Sequence, residues 1–276
     1  MVRTSAKLSE HHLPRKRFGQ NFLTDKNILN KIVRAAEVSP SNTVLEIGPG
    51  LGHLTRALAE TNAHIVAVEV DRDLIANLRT EFSEMSNVHL LEGDILKQAP
   101  EAWLAQGNAS TPYIVVANIP YYITSAILRY LLEAQTPPER IVVMVQRQVA
   151  QQITAKPPHA NLLGVSVQYY GVPQIVGNVA AGAFYPRPQV DSAVVRIDVT
   201  SAPSEKDSAR FFRIVRAGFG AKRKQLHNAL TLGLNLSGEE VGKMLAQAHI
   251  NPTRRAETLT LAEWETLAHT SKSFLN

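Results

Sequence analysis

Three glycines, at positions 48, 50 and 52, follow a short apolar run in Val44-Leu-Glu-Ile-Gly-Pro-Gly-Leu-Gly52. A strand that runs into such a turn and then a helix brings a ligand against bare backbone, because glycine tolerates positive φ and has no Cβ in the way. The dinucleotide fingerprint G-x-G-x-x-G would need its third glycine at position 53, which is His53. Glu46 in the strand and Pro49 in the turn also suit a pyrophosphate poorly, since a carboxylate repels phosphates. An acidic residue suits a cationic ligand. S-adenosylmethionine has a sulfonium, an ammonium and no phosphate, so Gly48 and Gly50 become candidate cofactor residues. A turn that serves only helix–sheet packing is the other reading of this segment.

Two further carboxylates stand where later strands end. Glu69 closes Ile65-Val-Ala-Val-Glu69, near the offset of about 20 residues at which a carboxylate meets ribose hydroxyls. Asp71 and Asp73 read instead as caps of the next helix, with no ligand role. Asp94, in Leu91-Glu-Gly-Asp94-Ile95, can accept from an adenine amine at the carboxyl edge of a sheet, or can be a turn residue or cap.

A fourth strand end, Val115-Val-Ala-Asn118-Ile-Pro120-Tyr121-Tyr122, decides the reaction. Asn-x-Pro-aromatic resembles the catalytic signature of amino-methyltransferases acting on adenine, cytosine or glutamine amides. An exocyclic amine is a poor nucleophile because its lone pair is delocalised into the ring. If the Asn118 oxygen and a backbone carbonyl held by Pro120 accept its two N–H protons, the lone pair is localised and aimed; Tyr121 can stack on the base. A base stacked in a helix cannot present its amine, so the substrate must be unpaired or flipped out. A second wall is sought in Ala183-Phe184-Tyr-Pro-Arg187-Pro-Gln-Val-Asp-Ser192, where Phe184 either sandwiches the base or belongs to the core.

Taken together, Arg17-Phe-Gly-Gln-Asn-Phe-Leu23, Leu45 to Gly52, Glu69, Gly93-Asp-Ile95, Asn118 to Tyr121 and Ala183 to Val195 resemble the ribosomal RNA adenine N6-dimethyltransferases over about residues 15–260. The nearest branch is the bacterial enzymes that dimethylate two adjacent adenines near the 3′ end of 16S rRNA; Arg254-Arg-Ala-Glu-Thr-Leu259 also matches it. The resemblance implies a Rossmann-like class I methyltransferase fold, S-adenosylmethionine as cofactor, and 16S rRNA in an immature small subunit as partner. It adds Asn21 and Leu23 to the cofactor pocket, with Asn118. Gln146-Arg-Gln148 and Asn161 to Ser166 depart from the family pattern, which touches RNA contact before chemistry. The alternatives are a 23S rRNA adenine methyltransferase of the macrolide-resistance type, an assembly factor acting by binding, and a small-molecule methyltransferase.

The elements that must position these residues alternate. Apolar, β-branched runs at Thr43–Ile47, Ile65–Glu69, Val88–Leu91, Tyr113–Ala117 and Ile141–Val145 are separated by helical patterns, which indicates an α/β protein with a mostly parallel sheet. Asp25 caps a helix carrying Ile28, Leu29, Ile32, Val33 and Ala36. Further apolar runs follow at 164–170, 174–179 and 193–199, the last two too close for a crossover helix, so an antiparallel edge hairpin is expected. The polar run Thr200–Asp207 reads as a linker, dividing a catalytic domain, 1–200, from an all-helical, rRNA-binding domain, 201–276. In the latter, Leu226, Leu230 and Leu234 share a face, and Ser237 with Glu240 and Thr260 with Glu263 match capping boxes.

Length and composition fit this division. A chain of 276 residues, 45% hydrophobic and 19% charged, can bury one large core and a smaller one. The absence of cysteine excludes disulfides, thiolate metal sites and cysteine nucleophiles. The nine histidines show no metal-binding spacing, so no metal is expected. Met1 to Gln20 lacks the apolar core of an export signal, and no apolar run approaches the ~20 residues of a membrane span, so the protein is expected to be cytoplasmic; a monomer is the expected state, though nothing in the sequence fixes it. The net charge of +5 favours polyanions. Arg210, Arg213, Arg216, Lys222, Arg223 and Lys224 cluster where the helical domain begins, and the N-terminal arm adds Arg15, Lys16 and Arg17. With Phe184 and Arg187, Arg223 and Lys224 are the candidate RNA contacts; an ordinary solvated helix face is the other reading of the basic cluster.

Overall fold

A computed structural model of the chain describes residue 15, residues 19–200 and residues 203–275. Lys16, Arg17 and the rest of the basic arm before Arg15 lie outside the described residues. The chain divides into two compact units, residues 1–150 with 172–199, and residues 151–171 with 200–276.

The first unit opens with β1 (Phe22–Leu23) and α1 (Lys26–Ala36). The Asp25 carboxylate accepts the N–H groups of Asn27 and Ile28, donors with no partner inside the helix, and Leu29, Ile32 and Ala36 form its buried stripe. Then strands and helices alternate: β2 (Thr43–Ile47), α2 (His53–Ala59), β3 (His64–Glu69), α3 (Arg72–Glu81), β4 (Val88–Glu92), α4 (Pro100–Gln106), β5 (Ile114–Asn118), α5 (Thr124–Leu132), β6 (Arg140–Gln146) and the first residues of α6 (Arg147–Ile153), whose last three fall in the second unit. Each strand expected from the sequence in this stretch is present, within a residue or two at its ends.

Among the described residues the main sheet has seven strands in the order β4-β3-β2-β5-β6-β9-β7, where β7 is Gly171–Val179 and β9 is Ser192–Val199. β4 to β6 run parallel, and β9 is antiparallel to β6 with β7 outside it at the edge. The central strands are apolar without a break, as Ile65 to Val68 and Ile141 to Val145 show, because both faces are covered by helices. β9 is tied to the end of α1: Arg196 donates to Ala35 O and Arg140 to Ala36 O, and both pair with Glu37 and Asp198. These cations meet the carbonyl end of the helix, where its dipole favours positive charge.

The chain winds from β2 outward to β4, then crosses back to β5 and winds the other way. This reversal between β2 and β5 opens a crevice at the carboxyl ends of the strands, where sheets of this kind bind ligands. A separate two-stranded ribbon pairs β1 with β8 (Phe184–Tyr185), setting Phe22 opposite Tyr185 and Leu23 opposite Phe184.

The second unit holds α7 (Leu162–Gln168), α8 (Glu205–Phe219), α9 (Leu226–Leu234), α10 (Gly238–Gln247) and α11 (Leu261–Thr270). Both capping boxes are formed, and Leu226, Leu230 and Leu234 are buried. Three expectations need correction. The apolar run at 164–170 lies mostly in helix α7, whose first turn is capped by Asn161 accepting the Gly164 N–H; a short apolar run does not by itself distinguish strand from buried helix. The segment 151–171 groups with the helical unit rather than with residues before 200, because the Tyr169 ring stacks on Phe211 at 3.9 Å and Thr200 donates to Tyr170 O. The polar run at 200–207 is partly helix, since Ser204 caps α8 from Glu205. Among the described residues, no helix is long and apolar enough to cross a membrane.

Candidate active site

At the reversal point lies a cavity of about 350 Å³, a volume in the range of small-molecule sites. Gly48 and Gly50 border it after β2, Glu69 after β3, Asp94 after β4, and Asn118, Pro120 and Tyr121 after β5. Asn21 borders it from the N-terminal segment. Eight residues nominated from the sequence are thereby brought together by four strand ends and one strap.

The glycine turn is shaped for close approach. Gly48 has φ +70°, and a Cβ there would meet nothing within 4 Å, so its bare backbone faces open space. Gly50 has φ +61°, and a Cβ would come within 3.0 Å of the Phe22 ring. Both positions therefore require glycine, the second by packing as well as by conformation.

Glu69 is buried, and its carboxylate holds the turn: Oε2 accepts the Gly50 N–H at 3.0 Å and Oε1 the Asp71 N–H at 2.9 Å. Burial pushes its pKa upward, while these backbone bonds pull it back. A carboxylate offers about four acceptor positions, so two used here leave capacity for hydroxyls. Asp94 caps the turn at Ile95–Lys97 by accepting the Leu96 N–H at 3.1 Å while also lining the cavity, so its two readings coexist.

Asn118 ends β5 with its side-chain nitrogen donating to Asn21 O at 3.0 Å. With the nitrogen engaged, Oδ1 is left as the acceptor at the cavity. The carbonyl of Pro120 already accepts the Ile123 N–H at 3.2 Å. The Tyr121 hydroxyl is 2.6 Å from Oγ of the fully buried Ser192, which fixes the half-buried ring; burial raises its pKa.

Sequence reasoning missed the residues that hold the strap. Asp71 caps α3 as expected, but its buried carboxylate also accepts from Gln20 Nε2 at 3.0 Å and from Arg15 Nη1 at 2.9 Å, and Arg15 pairs with Asp73 too. Gln20 stands within the quoted Gly-Gln-Asn-Phe-Leu run, but nothing in the run points to a partner fifty-one positions on. Arg15 is thus committed to carboxylates rather than open to phosphate.

Some nominated residues are not brought to the cavity. Glu46 is 1% exposed and does not line it, so it is no counter-ion for a cationic ligand; burial pushes its carboxyl up to about 8. Leu23 packs in the core and borders a neighbouring cavity of about 30 Å³ rather than this one. Phe184 is likewise in the core cluster, which favours its structural reading over a base wall. Arg187 is exposed, as are Arg223 and Lys224 in the turn between α8 and α9 of the second unit.

The family model for ribosomal RNA adenine dimethylases matches residues 11–272. The chain belongs to this family. A Dehalococcoides mccartyi protein named ribosomal RNA small subunit methyltransferase A is 48% identical over 255 residues, covering 92% of this chain and 87% of that one. A Moorella thermoacetica protein of the same name is 44% identical, covering 97% and 96%. Among solved structures, a 23S rRNA methyltransferase, ErmE, is 28% identical with a TM-score of 0.72 over 91% of this chain and 99% of its own. A dimethyladenosine transferase from Plasmodium falciparum, 23% identical, shares the fold with a TM-score of 0.73 over 91% of this chain and 98% of its own.

Proposed function

We propose that this dimethylase transfers methyl groups from S-adenosylmethionine to N6 of two adjacent adenines near the 3′ end of 16S rRNA, within an immature small subunit. The observation that carries the reading is the anchored amide of Asn118, set at the reversal point beside the glycine turn and Glu69. The higher identity to small-subunit enzymes than to the 23S enzyme supports this substrate.

The cavity fits such a cofactor: Gly48 presents bare backbone, Glu69 retains acceptors for ribose hydroxyls, and Asp94 can accept from an adenine amine. When bound, S-adenosylmethionine supplies an electrophilic methyl carbon. The chain's own part is to prepare the amine. Asn118 Oδ1 accepts one N–H of the target; with the Pro120 carbonyl engaged, the second acceptor falls to the carbonyl of Ile119, which borders the cavity. Two such bonds withdraw the lone pair from the ring and aim it, and positioning of this kind can remove several kcal/mol from a barrier. Tyr121, tethered to Ser192, holds the base, and the amine proton leaves to solvent.

Exposed Arg213, Arg216, Arg223 and Lys224 of the helical unit supply phosphate contacts for rRNA. Radiolabelled methyl transfer to small and large subunits from cells lacking such an enzyme, followed by nucleoside analysis, tests the proposal. Label in dimethyladenosine of 16S rRNA is expected, and label confined to 23S rRNA contradicts it.

A further inference from the structure

The alternation of the ribbon turns one aromatic inward and its neighbour outward. Phe184, opposite Leu23, joins the core; Tyr185, opposite Phe22, is 56% exposed. Directly opposed residues of an antiparallel pair have Cβ atoms about 4.5–5.5 Å apart. Phe22 is part of the cavity wall, and Tyr185, which does not itself line the cavity, is its exposed cross-strand neighbour.

The other end of the same wall is Gly19, where an added Cβ would lie 3.1 Å from Cε1 of Tyr122. Tyr122 borders the cavity and is 66% exposed. Among the described Phe, Tyr and Trp residues these two are the exposed ones, and both flank the strap from Gly19 to Phe22. Three residue steps span at most about 11 Å. Within that span lies Asn21, whose carbonyl holds Asn118.

We infer that Tyr122 and Tyr185 are a stacking platform for the unpaired nucleotides on either side of the target adenine. The inference rests on the proposed RNA substrate. A base whose amine reaches Asn118 has left its stack, and its neighbours lose a stacking partner. Aromatic planes replace that partner for any base, since every base has a π-face. The strap from Gly19 to Phe22, whose two ends neighbour these rings, spans at most about 11 Å, the scale of a few nucleotides. Arg187, two residues beyond Tyr185, is exposed and would supply a cation for the accompanying phosphate. Single-stranded RNA fits this rim better than a protein partner, because two isolated aromatic faces beside a cation and a cavity match base, phosphate and extruded base.

The test uses the full chain, undermethylated small subunits and a short single-stranded oligonucleotide with two adjacent adenines. Tyr122→Ala and Tyr185→Ala should each raise the KM for RNA about 5- to 100-fold, the range of alanine substitutions at stacked aromatics. The Phe variants should stay within about twofold of wild type, since stacking does not need the hydroxyl. Cofactor affinity of Tyr185→Ala, measured by calorimetry, should remain at the wild-type value and shows that the protein is folded. In Tyr185→Trp, fluorescence should be quenched by the oligonucleotide without any methyl transfer; the native Trp103 and Trp264 are buried and give a quiet background. Wild-type KM in both Ala variants, equal loss in Phe and Ala variants, or an unresponsive Trp overturns the inference. Quenching in Tyr185→Trp together with no RNA methylation by the wild-type protein contradicts the proposed function instead.

Discussion

The side-chain amide of Asn118 is held by the main-chain carbonyl of Asn21 at 3.0 Å, ninety-seven positions away in sequence. The end of β5 and the N-terminal strap are thereby parts of one device: the strap closes a wall of the cavity and turns the amide so that its oxygen is presented. Gln20, the preceding residue, is bonded to Asp71, whose own N–H is bonded to Glu69. On the proposed function, cofactor side and amine side meet at adjacent residues.

Loosening the strap should therefore weaken cofactor binding. In Asp71→Asn the charge facing Arg15 and Gln20 is removed, and hydrogen bonds to charged groups are worth about 1.5–3 kcal/mol. Calorimetry should show S-adenosylmethionine binding weakened about 10-fold or more, with a smaller change for Gln20→Ala. A protein whose melting temperature falls while its cofactor affinity is unchanged would mean that Asp71 is only a helix cap.

Stability should depend on pH through Glu46. Its carboxyl is fully buried, and burial raises it from the ordinary 4.5 to about 8 while the Thr55 hydroxyl pulls it back. Between those values the folded chain binds a proton that the unfolded chain has released, so stability falls as pH rises through this window and is level above it. Thermal melts of Glu46→Gln from pH 5 to 9 should show a shallower decline than wild type. The slope is the reading, because a buried amide carries its own desolvation cost; parallel curves would place the ionised carboxylate in the native protein.

The strand ends were legible in the sequence because each is short, apolar and closed by a residue whose chemistry differs from its surroundings: Gly48, Glu69, Asp94, Asn118. Parallel central strands announce themselves by unbroken apolar runs. What was not legible depended on partners far along the chain. Asp71 reads as a cap from its neighbours alone, and only the fold brings Gln20 and Arg15 to it. Phe184 and Tyr185 are adjacent aromatics, and which one turns outward is set by register with Phe22 and Leu23. Residues 164–170 carry apolar side chains compatible with strand or helix, and Asn161 together with the Phe211 contact of Tyr169 decides for the helix and for the second unit.

Releasing Tyr121 should affect substrate before cofactor. Ser192→Ala removes the partner of the Tyr121 hydroxyl, and a net hydrogen bond of about 0.5–1.5 kcal/mol corresponds to roughly 2- to 10-fold. The KM for RNA is expected to rise by that amount with cofactor affinity retained. If instead cofactor affinity alone drops, the tether serves the pocket and not the base.

The basic turn between α8 and α9 should register in salt dependence. Filter binding of Arg223→Ala with Lys224→Ala to rRNA across a salt series is expected to give weaker binding and a slope lower by about 1–2, since each phosphate contact contributes roughly 0.7–0.9. Identical affinity and slope would remove this turn from the RNA footprint.

The presented oxygen of position 118 is tested most directly by single-turnover methyl transfer to undermethylated small subunits, with Asn118→Ala and Asn118→Asp saturated in cofactor. Both variants should bind S-adenosylmethionine yet transfer methyl about 10²–10³-fold more slowly, the loss typical of a removed positioned hydrogen-bonding group; Asp keeps an oxygen but loses the N–H that Asn21 anchors. Transfer by either variant at the wild-type rate, with cofactor bound, would contradict the account.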